Sequence, residues 1–352
     1  MTRTLKVGIV GYGFATRTFH APLIAGVPGL ELAAIASSDP AKFRQAWPDV
    51  AAETSPAALF ARKDLDLVVI PTPNDSHFPL AKLALEAGKH VVVDKPFTLT
   101  VAEARALRGC AMQAGKVLSV FQNRRWDADF LTVKALIASG ELGPVQEFES
   151  HFDRHSPVVQ DRWRERDALG SGLWFDLGAH LVDQAVQLFG VPDALGVDLA
   201  RQRPGARTDD YYQAQLHYGS SRVILHANNL VPQPGPRYTV HGTLGTYVKF
   251  GLDVQEDQLK AGMIPPAPGW GVDPNPGTLT LFNAGDRTSR TVPTLTGDYP
   301  AYYAALRDAV LGTGPNPVPV EQAIQVMGLI ELGRRCAAEG RILQVSPADV
   351  SA

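Results

Sequence analysis

The chain has 352 residues, 45% hydrophobic and 20% charged, with a formal net charge of −3 and two cysteines. That length implies two domains, and that composition an ordinary globular core with no need of disulfide staples. The charge balance supplies no polybasic surface for nucleic acid, while Cys110 and Cys336, far apart in sequence, offer neither a disulfide framework nor a zinc site and fit a reducing compartment.

The opening Met1-Thr2-Arg3-Thr4-Leu5-Lys6 has the charge of a signal n-region, but the apolar run Val7–Val10 is too short for an h-region and ends in glycines. It reads as a first strand. No stretch reaches the ~20 apolar residues that span a bilayer, so the expectation is a cytoplasmic protein without membrane contact. Leu5–Val10, Leu30–Ala36, Leu67–Ile70, Val91–Asp94 and Leu118–Phe121 are continuous apolar runs, the pattern of strands buried on both faces of a parallel sheet. Helix signals lie between them. Ser55-Pro56 is an N-cap followed by proline at the first helical position, Thr100-Val101-Ala102-Glu103 is a capping box, and Gly88 and Gly115 stop helices. Residues 1–123 therefore predict a doubly wound α/β domain of Rossmann type.

After Asn123 the pattern changes. A helix over Asp127–Ser139 ends at Gly140, a strand follows near Val145–Phe152, and a second helix covers Gly178–Phe189. Then come strand-like runs with no long helices between them: Gly196–Ala200, Tyr211–Tyr218, Arg222–Ala227, Tyr238–His241, Thr246–Phe250 and Leu279–Phe282. Residues 124–352 predict an α+β domain with a large open sheet, mostly antiparallel or mixed, closed by helices near 299–311 and 321–339. The Pro- and Gly-rich residues 261–277 read as a long surface loop or lid.

The first strand runs into Gly11-Tyr12-Gly13-Phe14-Ala15-Thr16. Gly11 permits a tight turn, Gly13 lets backbone approach a pyrophosphate, and the following helix N-terminus offers unpaired N–H groups to the anion. Thr16 stands where a third glycine or alanine is usual. A lone Gly-x-Gly is as often a structural turn, and here the βαβ context favours dinucleotide binding. An acidic residue about 20 residues further on holds the ribose 2′-hydroxyl in NAD-binding sheets. This chain has Ser37-Ser38 there, room for a 2′-phosphate, with Lys42 and Arg44 nearby and Asp39 as the counter-argument. NADP is favoured, with NAD the alternative. Pro71-Thr72-Pro73-Asn74-Asp75-Ser76-His77 leaves the strand Leu67–Ile70, either as an ordinary turn or, at a carboxyl strand end, as a ligand loop in which Thr72, Pro73, Asn74 and His77 touch cofactor.

Lys95 lies between a buried strand and Pro96, which holds it extended and turns it toward the crevice rather than toward solvent. Asp176 and His180 are four apart and share a helical face, with Asp183 one turn beyond. Three readings fit that spacing: a general base with an orienting carboxylate, a metal pair, or a capping Asp beside a packed histidine. A metal site needs further ligands, and no other His/Cys cluster is evident in the sequence, so none is assigned.

With these residues in view, the chain resembles the glucose–fructose oxidoreductase/inositol dehydrogenase (Gfo/Idh/MocA) family along essentially its whole length. Gly11-Tyr12-Gly13 matches the family's nucleotide turn, and Asp94-Lys95-Pro96 its Glu-Lys-Pro motif with Asp for Glu. Gly172–His180 matches its segment ending Asp-x-Gly-x-His, and Gln122-Asn123-Arg124-Arg125-Trp126-Asp127 with Asp129-Phe130 is similar to the branch of NADP-dependent scyllo-inositol dehydrogenases. The resemblance implies a homodimer or homotetramer built through the sheet face, a Lys-Pro bond that is often cis, and a small sugar or polyol substrate. Lys95 and His180 would flank the reacting carbinol, with Asp176 on a substrate hydroxyl or on His180, and with Asp183 assisting. Asn123, Arg124 and Trp163 are expected in the pocket wall, Asn123 also on the cofactor. The rival from another class is a dinucleotide-binding sensor, which has no need to keep Lys95, Asp176 and His180 together.

Overall fold

The structure, a computed structural model, describes residues 3–352, so Met1 and Thr2 of the n-region-like start lie outside the described residues. Six strands form a parallel sheet: β1 (Leu5–Val10), β2 (Leu30–Ala36), β3 (Ala51–Glu53), β4 (Leu67–Ile70), β5 (His90–Val93) and β6 (Leu118–Val120). Their order is β3-β2-β1-β4-β5-β6, so direction of travel reverses between β1 and β4. The loops leaving those two strands, carrying Gly11–Phe14 and Pro71–Asn74, therefore flank the crevice where such sheets bind ligands. β1, β4 and β5 are buried almost throughout, as their unbroken apolar runs require. Helix Pro56–Ala61 is capped by Ser55, whose hydroxyl accepts from the Ala58 N–H. Helix Val101–Ala114 is capped by Thr100, but the Glu103 carboxylate accepts from the Leu99 N–H rather than closing the expected box on Thr100.

The second sheet has nine strands: β7 (Val145–His151), β8 (Ala194–Ala200), β9 (Tyr211–Tyr218), β10 (Ser221–Asn228), β11 (Tyr238–Gly242), β12 (Gly245–Lys249), β13 (Gly277–Asn283), β14 (Asp286–Val292) and β15 (Leu343–Gln344). The order is β14-β13-β12-β11-β7-β10-β9-β8-β15, and the only parallel pair within it is β7 with β10, so the sheet is mixed. Helices Ala179–Phe189 and Val320–Glu339 cover its inner face. Helix Val320–Glu339 also packs on the helix Val101–Ala114, which joins the two sheets into one body. No helix among the described residues is long and apolar enough to cross a membrane.

Residues 261–277 are irregular, as their composition predicts, yet they are pinned rather than free. Lys249 and Asp273 are both fully buried and pair at 2.9 Å, with the Lys249 Nζ also donating to the Phe250 carbonyl at 2.6 Å. A Cβ on Gly26 would sit 1.9 Å from the Pro265 carbonyl oxygen, so the loop lies directly on the helix Ala21–Gly26. Replacing Asp273 by Ala leaves an uncompensated buried ammonium, and should cost about 3 kcal/mol of unfolding free energy in urea titration.

Candidate active site

The crevice at the carboxyl edge of the parallel sheet continues into a cleft of about 640 Å³ shared with the second domain. Lys95 leaves β5 through a cis Lys95–Pro96 bond. The Asp94 carboxylate accepts from the Lys95 N–H at 2.7 Å, a contact suited to the shorter of the two acids. Behind it, His20 lies 3.5 Å from Asp94 through Nε2 and 2.6 Å from the Tyr303 hydroxyl through Nδ1. Burial alone would raise the Asp94 carboxyl, but His20 and Lys95 outweigh it and hold the group below the usual range.

From this base the Lys95 ammonium crosses the cleft and donates to both the Asp176 carbonyl and its Oδ1, each at 2.7 Å. Asp176 belongs to a wide, π-type turn, Trp174–Gly178, that opens the helix Ala179–Phe189 one turn earlier than the sequence pattern indicates. Such turns interrupt the ordinary helical bonding ladder, which suits a carbonyl that accepts from a side chain. Trp174 seats the turn. Its indole donates to the Ile330 carbonyl at 2.9 Å, its ring packs against Tyr212, and Gly178 and Gly333 leave no space for a Cβ against it. Asp209, distant in sequence, caps the turn by accepting from the Trp174 N–H at 2.7 Å.

His180 follows one turn on, 4% exposed, lining the same cleft. No protein group bonds its buried Nδ1. Burial first, then the cations Lys95 and Arg124, hold its pKa well below the ordinary imidazole value, with Asp176 opposing. Burial likewise lowers the Lys95 ammonium, with Asp176 opposing, while Asp176 is driven well below the usual carboxylate range because Lys95, Arg164 and Arg154 outweigh its burial. The ground state is therefore a charged Lys95–Asp176 pair beside a neutral imidazole.

Gly13, Phe14, Ala15, Thr72, Pro73, Asn74, Asn123, Arg124 and Trp163 line the same cleft. Gly11 has φ of +87°, which requires glycine, and Thr16 is buried, its hydroxyl donating to the Gly11 carbonyl at 2.9 Å. That bond ties the helix back to the turn where a third glycine would otherwise give close packing. A Cβ on Gly13 would meet nothing within 4 Å, so the protein's own packing does not demand glycine there, and its backbone is open to an approaching ligand. The turn thus fits a dinucleotide pyrophosphate, and the open groove between Gly13 and Pro71 leads from it to Lys95.

His77, Asp183, Ser37 and Ser38 lie outside the cleft lining, and Asp176 lines it but takes a different partner from the one expected. His77 does not face the cleft: its buried ring bridges the Pro96 and Thr72 carbonyls at 2.9 and 2.8 Å and so positions two cleft loops. Asp183 does not reach the imidazole, because it grips Arg125 with two bonds of 2.6 and 2.8 Å. Asp176 bonds Lys95, and no hydrogen bond joins it to His180 among the described residues. Ser37 and Ser38 lie beyond the cleft at the end of β2; beside them the Asp39 Oδ1 accepts from the Ala41 N–H at 3.2 Å and its Oδ2 lies 3.8 Å from the Lys42 ammonium. Arg154, Arg164 and Glu256, which no sequence motif singles out, also line the cleft. Arg154 follows Phe152 by two in extended chain, a periodicity that puts both on one face. Glu256, bonded to Arg124 at 2.7 Å, carries no sequence signal because its helix is six residues long.

A doubly wound sheet whose carboxyl edge meets a mixed-sheet domain across a Lys–Asp–His cleft defines a two-domain, dinucleotide-dependent oxidoreductase. Residues 5–122 match the family description "Oxidoreductase family, NAD-binding Rossmann fold" and residues 134–345 match "Oxidoreductase family, C-terminal alpha/beta domain". The chain belongs to the Gfo/Idh/MocA oxidoreductase family. It is 58% identical to Escherichia coli YdgJ, named an uncharacterized oxidoreductase, over 95% of this chain and 96% of that one. It is 36% identical to Bacillus subtilis IolW, named a scyllo-inositol 2-dehydrogenase (NADP(+)), over 97% and 96% of the two chains. A solved oxidoreductase structure from Yersinia pestis superposes with a TM-score of 0.95 at 54% identity, covering 98% of each chain.

The Arg125–Asp183 fork makes a sharp distinction between holding and reacting. Asp183→Ala should lower the unfolding free energy by about 3 kcal/mol, as for other broken buried pairs. The folded fraction should keep KM for substrate and kcat within a few-fold, measured by active-site titration and steady-state rates.

Proposed function

We propose that the protein is an NADP-dependent dehydrogenase or reductase acting on a carbinol or ketone of an inositol, a sugar or a related polyol. One observation carries this reading: a paired ammonium and a neutral imidazole converge on one cleft at the end of the dinucleotide groove. The name of the relative IolW points to the same substrate class and nucleotide. The local engagement of Asp39 with the Ala41 N–H also supports NADP, since it occupies one oxygen of the nearest acid.

Gly11, Gly13, Phe14, Ala15 and Thr16 would hold the pyrophosphate side of the nucleotide, Ser37 and Ser38 its ribose phosphate, and Thr72, Pro73, Asn74 and Asn123 the end nearer Lys95. When bound, nicotinamide supplies the hydride acceptor or donor at the substrate carbon. The protein's own residues handle the oxygen and its proton. In oxidation, neutral His180 accepts the hydroxyl proton as general base. Lys95 donates a hydrogen bond to the same oxygen and stabilises negative charge as it develops. Asp176 fixes the ammonium on the cleft side of its bonds and offers its remaining carboxylate oxygen to a neighbouring hydroxyl. Asn123, Arg124, Arg154 and Trp163 complete the wall, and their amide, guanidinium and indole donors suit a ligand rich in hydroxyl oxygens. The decisive experiment is initial NADPH formation across a panel of inositols, aldoses and polyols, with NAD run in parallel. No turnover with any carbinol, although dinucleotide binds, would overturn the reading.

Lys95→Ala should reduce kcat by roughly 100- to 1,000-fold, the scale of a lost electrostatic donor, while NADPH binding measured by fluorescence changes only a few-fold. The same variant tests the electrostatics. With His180 depressed, kcat/KM for oxidation should show no inflection across neutral pH in the wild type and fall only as pH drops through the depressed value. Removing the Lys95 cation should move that acid limb upward. Ser37→Asp should swing the NADP/NAD ratio of kcat/KM toward NAD by about 10- to 100-fold, since a carboxylate there repels a 2′-phosphate and accepts from a free 2′-hydroxyl.

A further inference from the structure

The chain segment that walls the cleft carries a second constellation on its opposite face. Phe152 and Arg154 line the cleft, and Asp153 between them projects the other way, as extended backbone requires. There it meets His151, at the end of β7, and His226 of β10, which face each other directly in the parallel pairing of the two strands. One imidazole nitrogen from each histidine and a carboxylate oxygen all lie within 4.8 Å of one another. The histidine rings are 5.1 Å apart, centre to centre.

A hydrogen bond does not account for this geometry. His226 Nδ1 is 2.9 Å from Asp153 Oδ1, yet both atoms are sealed from solvent and neither makes a hydrogen bond. At that distance the nitrogen and the oxygen are close without being aimed at each other. Two ligands of one ion behave this way, because their lone pairs converge on a third point. Ligand atoms ~2.1 Å from a shared ion sit about 3 Å apart at right angles, and about 3.4 Å apart at the tetrahedral angle. His151 Nδ1 lies 3.7 Å from Asp153 Oδ2, while its Nε2 bonds Glu149 at 3.4 Å. Its Nε2 thereby meets an outer carboxylate, the position from which a second carboxylate orients a metal-binding histidine.

We propose that His151, Asp153 and His226 form a binding site for a divalent transition-metal ion of the zinc class, on the outer face of the mixed sheet behind the cleft wall. Two imidazoles and one carboxylate suit such an ion better than magnesium or calcium, which take all-oxygen sites. Three protein ligands leave at least one coordination position for water. The ion would cross-link the end of β7 to β10 and fix the stretch that presents Phe152 and Arg154 to the cleft. The sequence shows only the His151-x-Asp153 pair, because the third ligand, His226, comes from a strand far away in the chain.

The test is equilibrium dialysis of the chelator-stripped full chain against micromolar Zn²⁺, with bound metal counted by mass spectrometry. The expected result is one zinc per chain in the wild type, a loss of tenfold or more in occupancy in His226→Gln and Asp153→Asn, and full occupancy in His155→Gln, which removes an exposed neighbouring histidine. A wild type that binds no more zinc than His226→Gln, or an equal loss in His155→Gln, overturns the proposal. Should the two ligand variants fail to fold by circular dichroism, Co²⁺ in the wild type decides. Visible d–d bands that appear with one equivalent and are displaced by Zn²⁺ uphold the site, and their absence removes it.

Discussion

The Lys95–Asp176 pair is the constraint around which the cleft is organised. It joins the end of a strand in one sheet to a helix turn under the other, across 81 residues of sequence, at 2.7 Å. Each partner is mostly buried, and neither charge could be kept there without the other. One further contact holds the same seam, the Asn74 amide donating to the Gly170 carbonyl at 2.8 Å, while on the first domain's side the His77 ring bridges the loops beside the lysine. The geometry that holds Lys95 in the cleft is thus the geometry that ties the first domain to the second. His180 depends on it as well, since the Lys95 charge helps keep its imidazole neutral.

The lysine's own foundation comes from the far end of the chain. Helix Pro300–Leu311 returns to the first domain and places Tyr303 on His20, which faces Asp94. Phe121 stacks among His20, Tyr302 and Tyr303, and the Tyr302 hydroxyl bonds Ser119 of β6. Arg125 fastens the start of the second domain to Asp183 and Gln322 on two separate helices. Neither domain is therefore a detachable lobe: the C-terminal helices are packed on β6 and on the helix that follows β5.

What the sequence discloses follows from where its hydrophobicity is forced. β1, β2, β4, β5 and β6 are covered on both faces, so apolar runs mark them to within a residue or two. β3 is a three-residue edge, and β14 is Asp-Arg-Thr-Ser-Arg-Thr-Val, exposed except at its last residue; polar edges carry no such run and escape notice. Among site residues, those fixed by a local pattern are legible: the glycines of the first turn, the lysine before proline, the histidine four beyond an aspartate. Partners chosen across the fold are not. Helical spacing correctly puts Asp176 near His180, but it cannot disclose that a lysine from the other sheet claims the carboxylate, or that Arg125 claims Asp183.

The residues of the cleft act on one another as a set. Lys95, Arg124, Arg154 and Arg164 are among the cations that line the cleft, and Asp94, Asp176 and Glu256 are among its carboxylates. Each cation opposes protonation of its neighbours, and burial adds to that, so both the imidazole and the lysine ammonium are shifted toward their neutral forms. Asp176 acts on both at once. It keeps the ammonium charged by contact, and by engaging Lys95 it offsets the field that would otherwise lower His180 still further. Its low pKa means that this support is present above the normal carboxylate range and is lost only as pH falls through the depressed value. A neutral amide at position 176 would leave the backbone carbonyl and an amide oxygen as acceptors for Lys95 but lose the compensating charge. It would therefore shift the ammonium and the imidazole toward their neutral forms together.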